Sequence, residues 1–325
     1  MARFLITVRS IEAGAFGGGL GKIRYLSVPD GAVPAPAHEV TSRAWLAAIM
    51  ATFTTVPSSV RGASPLVQGE ALFIVHGFNE AVADVALLHD AIGNGLAASG
   101  GGYSPTLISF DWPSAGSPFA YLPDLDVAAR TAVDLVNAAV RPLLRAQTPN
   151  CQVTVNALAH SMGAFVLRAA LGHADDGIVT GGDWMLGQLA LVAGDVEASA
   201  FVSGDKDTQS MMGHAYRLTN YFSRYDEVLQ ISNAKRAGVE ERVGRIGLPQ
   251  GAAPSTVNVD CSARYAAVPD PSPRDPIKTA EFSHDWYFSD ANFYRDLAQT
   301  LKGAVDRNVV AMRTVGSGGA FALAV

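Results

Sequence analysis

Apolar positions change rhythm along this chain, and the changes mark its elements. Phe4 to Val8 and Ile23 to Val28 read as strands flanking the loop Gly17-Gly18-Gly19-Leu20-Gly21, which predicts an N-terminal hairpin. Ala44 to Phe53 has helical spacing behind a Thr41 or Ser42 cap. Ala71 to Val75 is apolar at every position and is bounded by Gly69 and Gly77, the pattern of a parallel strand covered on both faces. From there two periods alternate. Helical spacing runs from Val82 to Ala98 and stops at Gly100-Gly101-Gly102, and Leu107 to Phe110 is a strand stopped by Trp112-Pro113. Residues 124 to 146 form a long amphipathic helix in which Pro142 should kink or break the last turn. Val153 to Leu158 is a strand, Met162 to Leu171 a helix, and Leu189 to Ala193, Tyr216 to Phe222 and Val257 to Cys261 are strands. Ala291 to Leu301 closes as a helix, while Gly238 to Ser255 and Pro269 to Pro276 read as long irregular connections.

This alternation predicts right-handed crossovers and an α/β fold, a doubly wound, mostly parallel sheet flanked by helices, with an N-terminal β-hairpin extension. One domain spans 1–325: the hairpin and helix extension over 1–69, a core over 70–302 and a tail over 303–325.

Composition narrows the class. With 49% hydrophobic and 17% charged residues the chain has ample material for a buried core and is not a disordered one. A net charge of -6, with no Lys or Arg cluster longer than a pair, provides no surface for a phosphate backbone, so no nucleic-acid partner is expected. The apolar run after Arg3 is too short for the hydrophobic region of a signal peptide, and no stretch approaches the roughly 20 apolar residues that span a bilayer. A cytoplasmic protein with no transmembrane segment is expected, and Cys151 and Cys261 read as small apolar core residues rather than a disulfide. The Gly17 to Gly21 cluster lacks the Lys-Ser/Thr pair and the following helix that a phosphate loop needs.

In doubly wound sheets ligands bind beyond the carboxyl ends of the strands, so polar residues just after strands carry the candidate chemistry. The stretch VNALAHSMGAF at 155–165 puts Ser161 on a strand-to-helix turn between small residues, Ala159 and Gly163, as a nucleophile elbow requires; the plain alternative is a serine N-cap. His76-Gly77-Phe78-Asn79, directly after a strand, is the natural source of a second oxyanion donor, pairing the Phe78 N–H with that of Met162. A serine nucleophile needs a base held by a carboxylate. Among the seven histidines His284, read as lying in a loop before the last helix, is best placed; His160 is expected to face the other side of the turn. Asp226, after the strand ending at Phe222, is the preferred acid, and Asp195 is the other position from which a carboxylate could reach. Trp112, Tyr121, His76 and His160 are candidate pocket walls. Ser161, Asp226 and His284 thus follow one another in the order nucleophile, acid, base.

Four strings carry a family likeness: FIVHGFNE at 73–80, FDWPSAGSPFAY at 110–121, ALAHSMGAFVLRAAL at 157–171 and FSRYDEVLQIS at 222–232. Together they resemble the bacterial α/β-hydrolases grouped as DUF900, esterase/lipase-like serine hydrolases, over roughly residues 70 to 300. The resemblance implies a Ser-Asp-His triad at Ser161, Asp226 and His284, with no metal and no cofactor. A carboxylic ester is the expected small-molecule substrate. Thioester or amide cleavage and acyl transfer would use the same groups, and a non-catalytic binding module on the same fold is the reading from another class.

Overall fold

The uninterrupted apolar runs become the middle of a sheet. In this computed structural model, which describes residues 2–57, 64–78, 80–114, 121–140, 142, 151–173, 185–202, 204–235, 240–303, 310–316 and 319–325, the strands are β1 (Arg3–Glu12), β2 (Ala15–Val28), β3 (Glu39–Val40), β4 (Thr54–Val56), β5 (Leu66–Val75) and β6 (Thr106–Asp111). They continue as β7 (Cys151–His160), β8 (Leu186–Val192), β9 (Ala215–Phe222), β10 (Thr256–Asp260), β11 (Arg313–Val315) and β12 (Phe321–Leu323). The order across the sheet is β11-β12-β10-β9-β8-β7-β5-β6-β1-β2-β3, with β4 paired to β5. From β10 through β1 every neighbouring pair is parallel. The antiparallel pairs are β1-β2, β2-β3 and β11-β12 toward the two ends of the sheet, and β4 against the first residues of β5.

Period-two alternation in β5 shows why the run had to be apolar throughout. Leu72 and Ile74 join Ile92 and Leu96 of the helix Val82–Ala98 and Phe293 and Leu297 of the helix Ala291–Leu301 on one face. Ala71, Phe73 and Val75 face the other side, with Trp45 and Ile49 of the helix Ser42–Met50, Ala128 and Ala132 of the helix Tyr121–Asp134, and Leu167 of the helix Met162–Gly172. Both faces are buried, as a parallel sheet requires.

Sheet order also locates a crevice. After β5 the chain steps to β6 on one side, whereas after β7, the other neighbour of β5, it steps to β8. Loops leaving β5 and β7 therefore diverge, and the gap between them at the carboxyl ends is the topological switch point where ligands of such sheets bind. Val75 pairs with Ala159, so the residues that follow each strand emerge side by side.

Several elements differ from the sequence reading. The hairpin reverses at Ala13-Gly14, with φ of 49° and 83°, so Gly17 to Gly21 lie inside β2 rather than in the turn. Strand β7 runs two residues past Leu158 and contains His160. The predicted long helix is α-helical over Tyr121–Asp134 and continues as a π-helical turn, Leu135–Val140, just before Pro142. The irregular stretch after Gly238 contains a short helix, Val243–Ile246, and the segment Pro276–Asp285 is a helix, not a loop. Cys261 is fully buried and Cys151 half-buried, both unbridged. No helix among the described residues is long and apolar enough to cross a membrane.

The tail packs on the body. Strand β12 runs parallel to β10, pairing Phe321 with Val259. Arg313 in β11 makes a two-pronged contact with Asp296, Nε to Oδ2 and Nη2 to Oδ1 at 2.7 Å each, and the Tyr221 hydroxyl donates to Asp296 Oδ1 at 2.7 Å. Both charges are buried. Removing one partner strands the other charge away from water, so Asp296→Ala is expected to destabilise the fold by about 3–5 kcal/mol. Equilibrium urea unfolding checks this, and the double change Asp296→Leu with Arg313→Met should lose distinctly less.

Candidate active site

Strand β7 ends at His160, and the next residue breaks the regular backbone. Ser161 has φ 53° and ψ −126°, outside the regions a side-chain-bearing residue normally occupies and a strain of about 1–3 kcal/mol. Three backbone hydrogen bonds hold it there. Its N–H donates to Val192 O at 3.1 Å, and its carbonyl accepts from Ala164 N at 3.0 Å and Asp195 N at 2.9 Å. Ser161 occupies the N-cap position of the helix Met162–Gly172, yet its hydroxyl caps no helix N–H.

The small neighbours have a steric reason. A β-carbon on Gly163 would overlap the carbonyl oxygen of Val75, and one on Gly77 would stand 2.9 Å from Ser161 Cβ. Ala159, at the first small position of the elbow, is fully buried, so a methyl fits where the usual motif has glycine.

The loop after β5 lies directly against the serine. Phe78, one residue beyond Gly77, is half-buried against the core. Met162 is the first residue of its helix, so its N–H has no acceptor within the helix. A buried network fixes this loop from behind. Trp112 donates its backbone N–H to His76 Nε2 at 3.1 Å and its indole N–H to His76 O at 3.0 Å, and the two rings stack 5.4 Å apart. His76 Nδ1 lies 2.9 Å from Gly77 O. Asp111 at the end of β6 accepts from Thr7 Oγ1 at 2.6 Å and from Arg9 Nε at 2.7 Å, and Arg9 also donates to the Glu80 carbonyl at 2.6 Å. Burial alone would raise the Asp111 carboxyl, but the hydrogen bonds and charges of His76, Arg9 and Thr7 outweigh it and hold it below the usual range. His76 and Trp112 are both fully buried in this network, so they brace the loop rather than line a pocket.

Facing the elbow are a histidine and a carboxylate brought in by two helices. His284, at the C-terminal end of the helix Pro276–Asp285, has Nδ1 2.7 Å from Asp226 Oδ2. The other oxygen, Oδ1, accepts from Leu229 N at 2.8 Å and so caps the helix Glu227–Lys235. Burial opposes a charge on His284; the charge and hydrogen bond of Asp226, aided by Asp285 and Asp195, win and push its pKa up to about 9. Its Nε2 is buried with no hydrogen-bond partner among the described residues. Asp195, the other acid considered, lies 3.2 Å from Arg242 Nε, and it is Asp226 that bonds the imidazole.

His160 departs from expectation. Its ring does not turn away but sits 4.7 Å from that of His284, with the edge of Phe288 5.1 Å away. Since Ser161 is the next residue, this contact sets the histidine beside the elbow. Burial, then the positive charge of His284, hold His160 well below the ordinary imidazole range. The side chain of Tyr121 lies outside the described residues, as does Asn79.

Two carboxylates beside this centre escaped the sequence reading. Burial, then the charges of Asp285 and Asp84, opposed by Arg9 and His284, push Glu80 up to about 7. Asp285, next to His284 in sequence, keeps its side chain more than half exposed. Position alone held a usable hint, because Glu80 closes the loop after β5 and Asp285 follows the histidine. Arg9 and Thr7 gave none, since their partner Asp111 is about a hundred residues away in sequence.

No curated protein matches the chain in sequence. Among solved structures, it is similar to an esterase/lipase from an uncultured bacterium (13% identity, 83% of this chain and 95% of that one, TM-score 0.32). It is also similar to a hyperthermophilic esterase from the archaeon Pyrobaculum calidifontis (12%, 82% and 92%, TM-score 0.36) and to acyl-protein thioesterase 2 of Zea mays (11%, 65% and 89%, TM-score 0.33). The family described as "Alpha/beta hydrolase of unknown function (DUF900)" matches residues 65–300, over strands β5 to β10 and both sides of the crevice, and the chain belongs to that family.

Proposed function

We propose that this α/β-hydrolase cleaves carboxylic esters through an acyl-serine intermediate, with Ser161 as nucleophile, His284 as base and Asp226 as the acid that orients it. The observation that carries the reading is the position of the Asp226-bound imidazole of His284, whose ring lies 4.7 Å from that of His160, the residue joined to the strained Ser161.

In the first half-reaction Ser161 Oγ attacks the acyl carbonyl as His284 Nε2 takes its proton. The oxyanion that forms is met by the N–H groups of Phe78 and Met162, donors that need no rearrangement because strain and the His76-Trp112-Asp111 network already fix the backbone. The imidazolium then protonates the leaving alkoxide, which departs as the alcohol. Water attacks the acyl-serine, gives its proton to His284 and releases the acid, and the proton returns to Ser161. Asp226 stays ionised throughout, holding the Nδ1–H tautomer and stabilising the cation.

A fluorophosphonate probe followed by peptide mass analysis tests the nucleophile, with the adduct expected on Ser161. Ser161→Ala should lose labelling and about 10⁴- to 10⁶-fold in p-nitrophenyl ester hydrolysis while unfolding at the same temperature. Labelling together with failure on all short and long esters but cleavage of thioesters or anilides would replace the ester assignment and keep the serine-hydrolase reading.

The pH profile has a definite sign. General-base catalysis needs neutral His284, and its pKa is pushed up to about 9, so kcat/KM should climb from pH 7 through about 9. Asp226→Asn removes the largest of the charges that raise that pKa and leaves burial opposed only by the weaker pull of Asp285 and Asp195. The rise should move to lower pH while kcat falls by about 10⁴-fold from the misoriented ring. An unshifted profile would show that another group limits the rate.

A further inference from the structure

A second use of the same imidazole follows from the donor atoms gathered around it. One donor atom from each of His160, His284 and Asp285 falls within 4.8 Å of the others. His284 Nδ1 is engaged by Asp226, so Nε2 is its available atom, and His160 Nε2 is the second. Both are buried and without a hydrogen-bond partner among the described residues, although each ring belongs to a residue 6% exposed or less. Imidazole nitrogens left in that state are costly to bury unless something satisfies them. The third donor, the exposed carboxylate of Asp285, has Oδ1 3.4 Å from His160 Nε2. That separation matches the ligand edge of about 3.3 Å in a tetrahedral site with metal bonds of about 2.0–2.1 Å.

We infer that His160, His284 and Asp285 bind a divalent transition ion of the zinc class, and that the bound ion switches the hydrolase off by occupying His284 Nε2. Two imidazoles and one carboxylate form a donor set suited to zinc, and leave a fourth position for water or a substrate oxygen. Asp226 fits the assignment as well: a metal-bound imidazole is ordinarily held at its other nitrogen by a carboxylate, the contact already made at Nδ1. The ion is an inhibitor and not a cofactor, because the electron pair it takes is the one that would accept the Ser161 proton. The inhibitory half rests on the proposed role of His284; the binding half does not.

The test uses the full chain, freed of metal by chelation and titrated with Zn²⁺ by calorimetry and with Co²⁺ by visible absorbance. One ion per chain is expected, with the intense bands of tetrahedral Co²⁺. His160→Gln should abolish binding and Asp285→Ala should weaken it about tenfold or more. Measured against its own metal-free rate of p-nitrophenyl ester hydrolysis, Asp285→Ala should need correspondingly more Zn²⁺ than the parent to be half inhibited. Phosphonylation of Ser161 should fall with the midpoint of Zn²⁺ occupancy and return with EDTA. Absence of stoichiometric binding up to about 0.1 mM Zn²⁺, or binding that neither substitution changes, overturns the site. Full occupancy with undiminished phosphonylation overturns the switch. If binding maps to these residues while neither esters nor phosphonate react, the hydrolase reading falls and the metal site stands.

Discussion

The left-handed backbone of Ser161 is the constraint around which the rest is arranged. An αR or β residue there would aim the hydroxyl into the sheet or along the helix; φ 53° with ψ −126° lifts it off both. Such a conformation survives only where its surroundings over-determine it. Three crossings do so: the end of β5 and the Gly77 that follows it pressed against Gly163 and Ser161, the end of β8 accepting the Ser161 N–H, and the turn after β8 donating from Asp195. Ala193, next to that turn, is itself left-handed at φ 47°, so a positive-φ residue stands just past the end of each of two adjacent strands, β7 and β8.

The N-terminal extension belongs to this arrangement. β1 runs parallel to β6 in the half of the sheet away from the tail, and its Thr7 and Arg9 reach the carboxylate of Asp111 and, through Arg9, the carbonyl of Glu80. Under the proposed mechanism this loop presents an N–H at a fixed point, and such a loop cannot be left to its own conformational entropy. Buried hydrogen bonds to a charged group are among the stronger ones available, each contributing about 1.5–3 kcal/mol, and here they fasten the loop from the side away from the serine.

What could be read from the sequence follows from which signals are local. The parallel core was legible because strands buried on both faces are apolar at every position, and helices such as Val82–Ala98 and Ala291–Leu301 carry their own periodicity and stops. The elbow was legible because its steric demand falls within five residues. The helix carrying His284 was not: Pro276 at its first turn and the Asp275 cap were present, but the preceding run of prolines and aspartates reads as loop. His160 was misdirected for a related reason, since ending β7 at Leu158 places it in a turn, whereas two further strand residues put its ring on the side of His284. Trp112 and His76 looked like pocket walls because sequence shows that an aromatic follows a strand, not which side of the strand its hydrogen bonds take it. The Asp111 network and the β11-β12 tail depend on pairings too distant in the chain to leave a pattern.

The electrostatics of the Asp226-His284 pair follow from where its two helices end. Asp226 stands at the start of Glu227–Lys235, where the unpaired N–H groups and the positive end of the helix dipole favour a carboxylate, and one of its oxygens accepts from Leu229 N. His284 stands in the last turn of Pro276–Asp285, where the unpaired carbonyls favour a cation. The two ends are locked in register by Ser283, whose hydroxyl oxygen accepts the Glu227 N–H at 2.9 Å. Each helix therefore stabilises the charge its own residue carries in the ion pair, and the adjacency of Ser283 and His284 makes one contact between helices fix the other. The imidazole is thus oriented by backbone as much as by its partner, a carboxylate whose second oxygen is already committed and which cannot rotate without uncapping its helix.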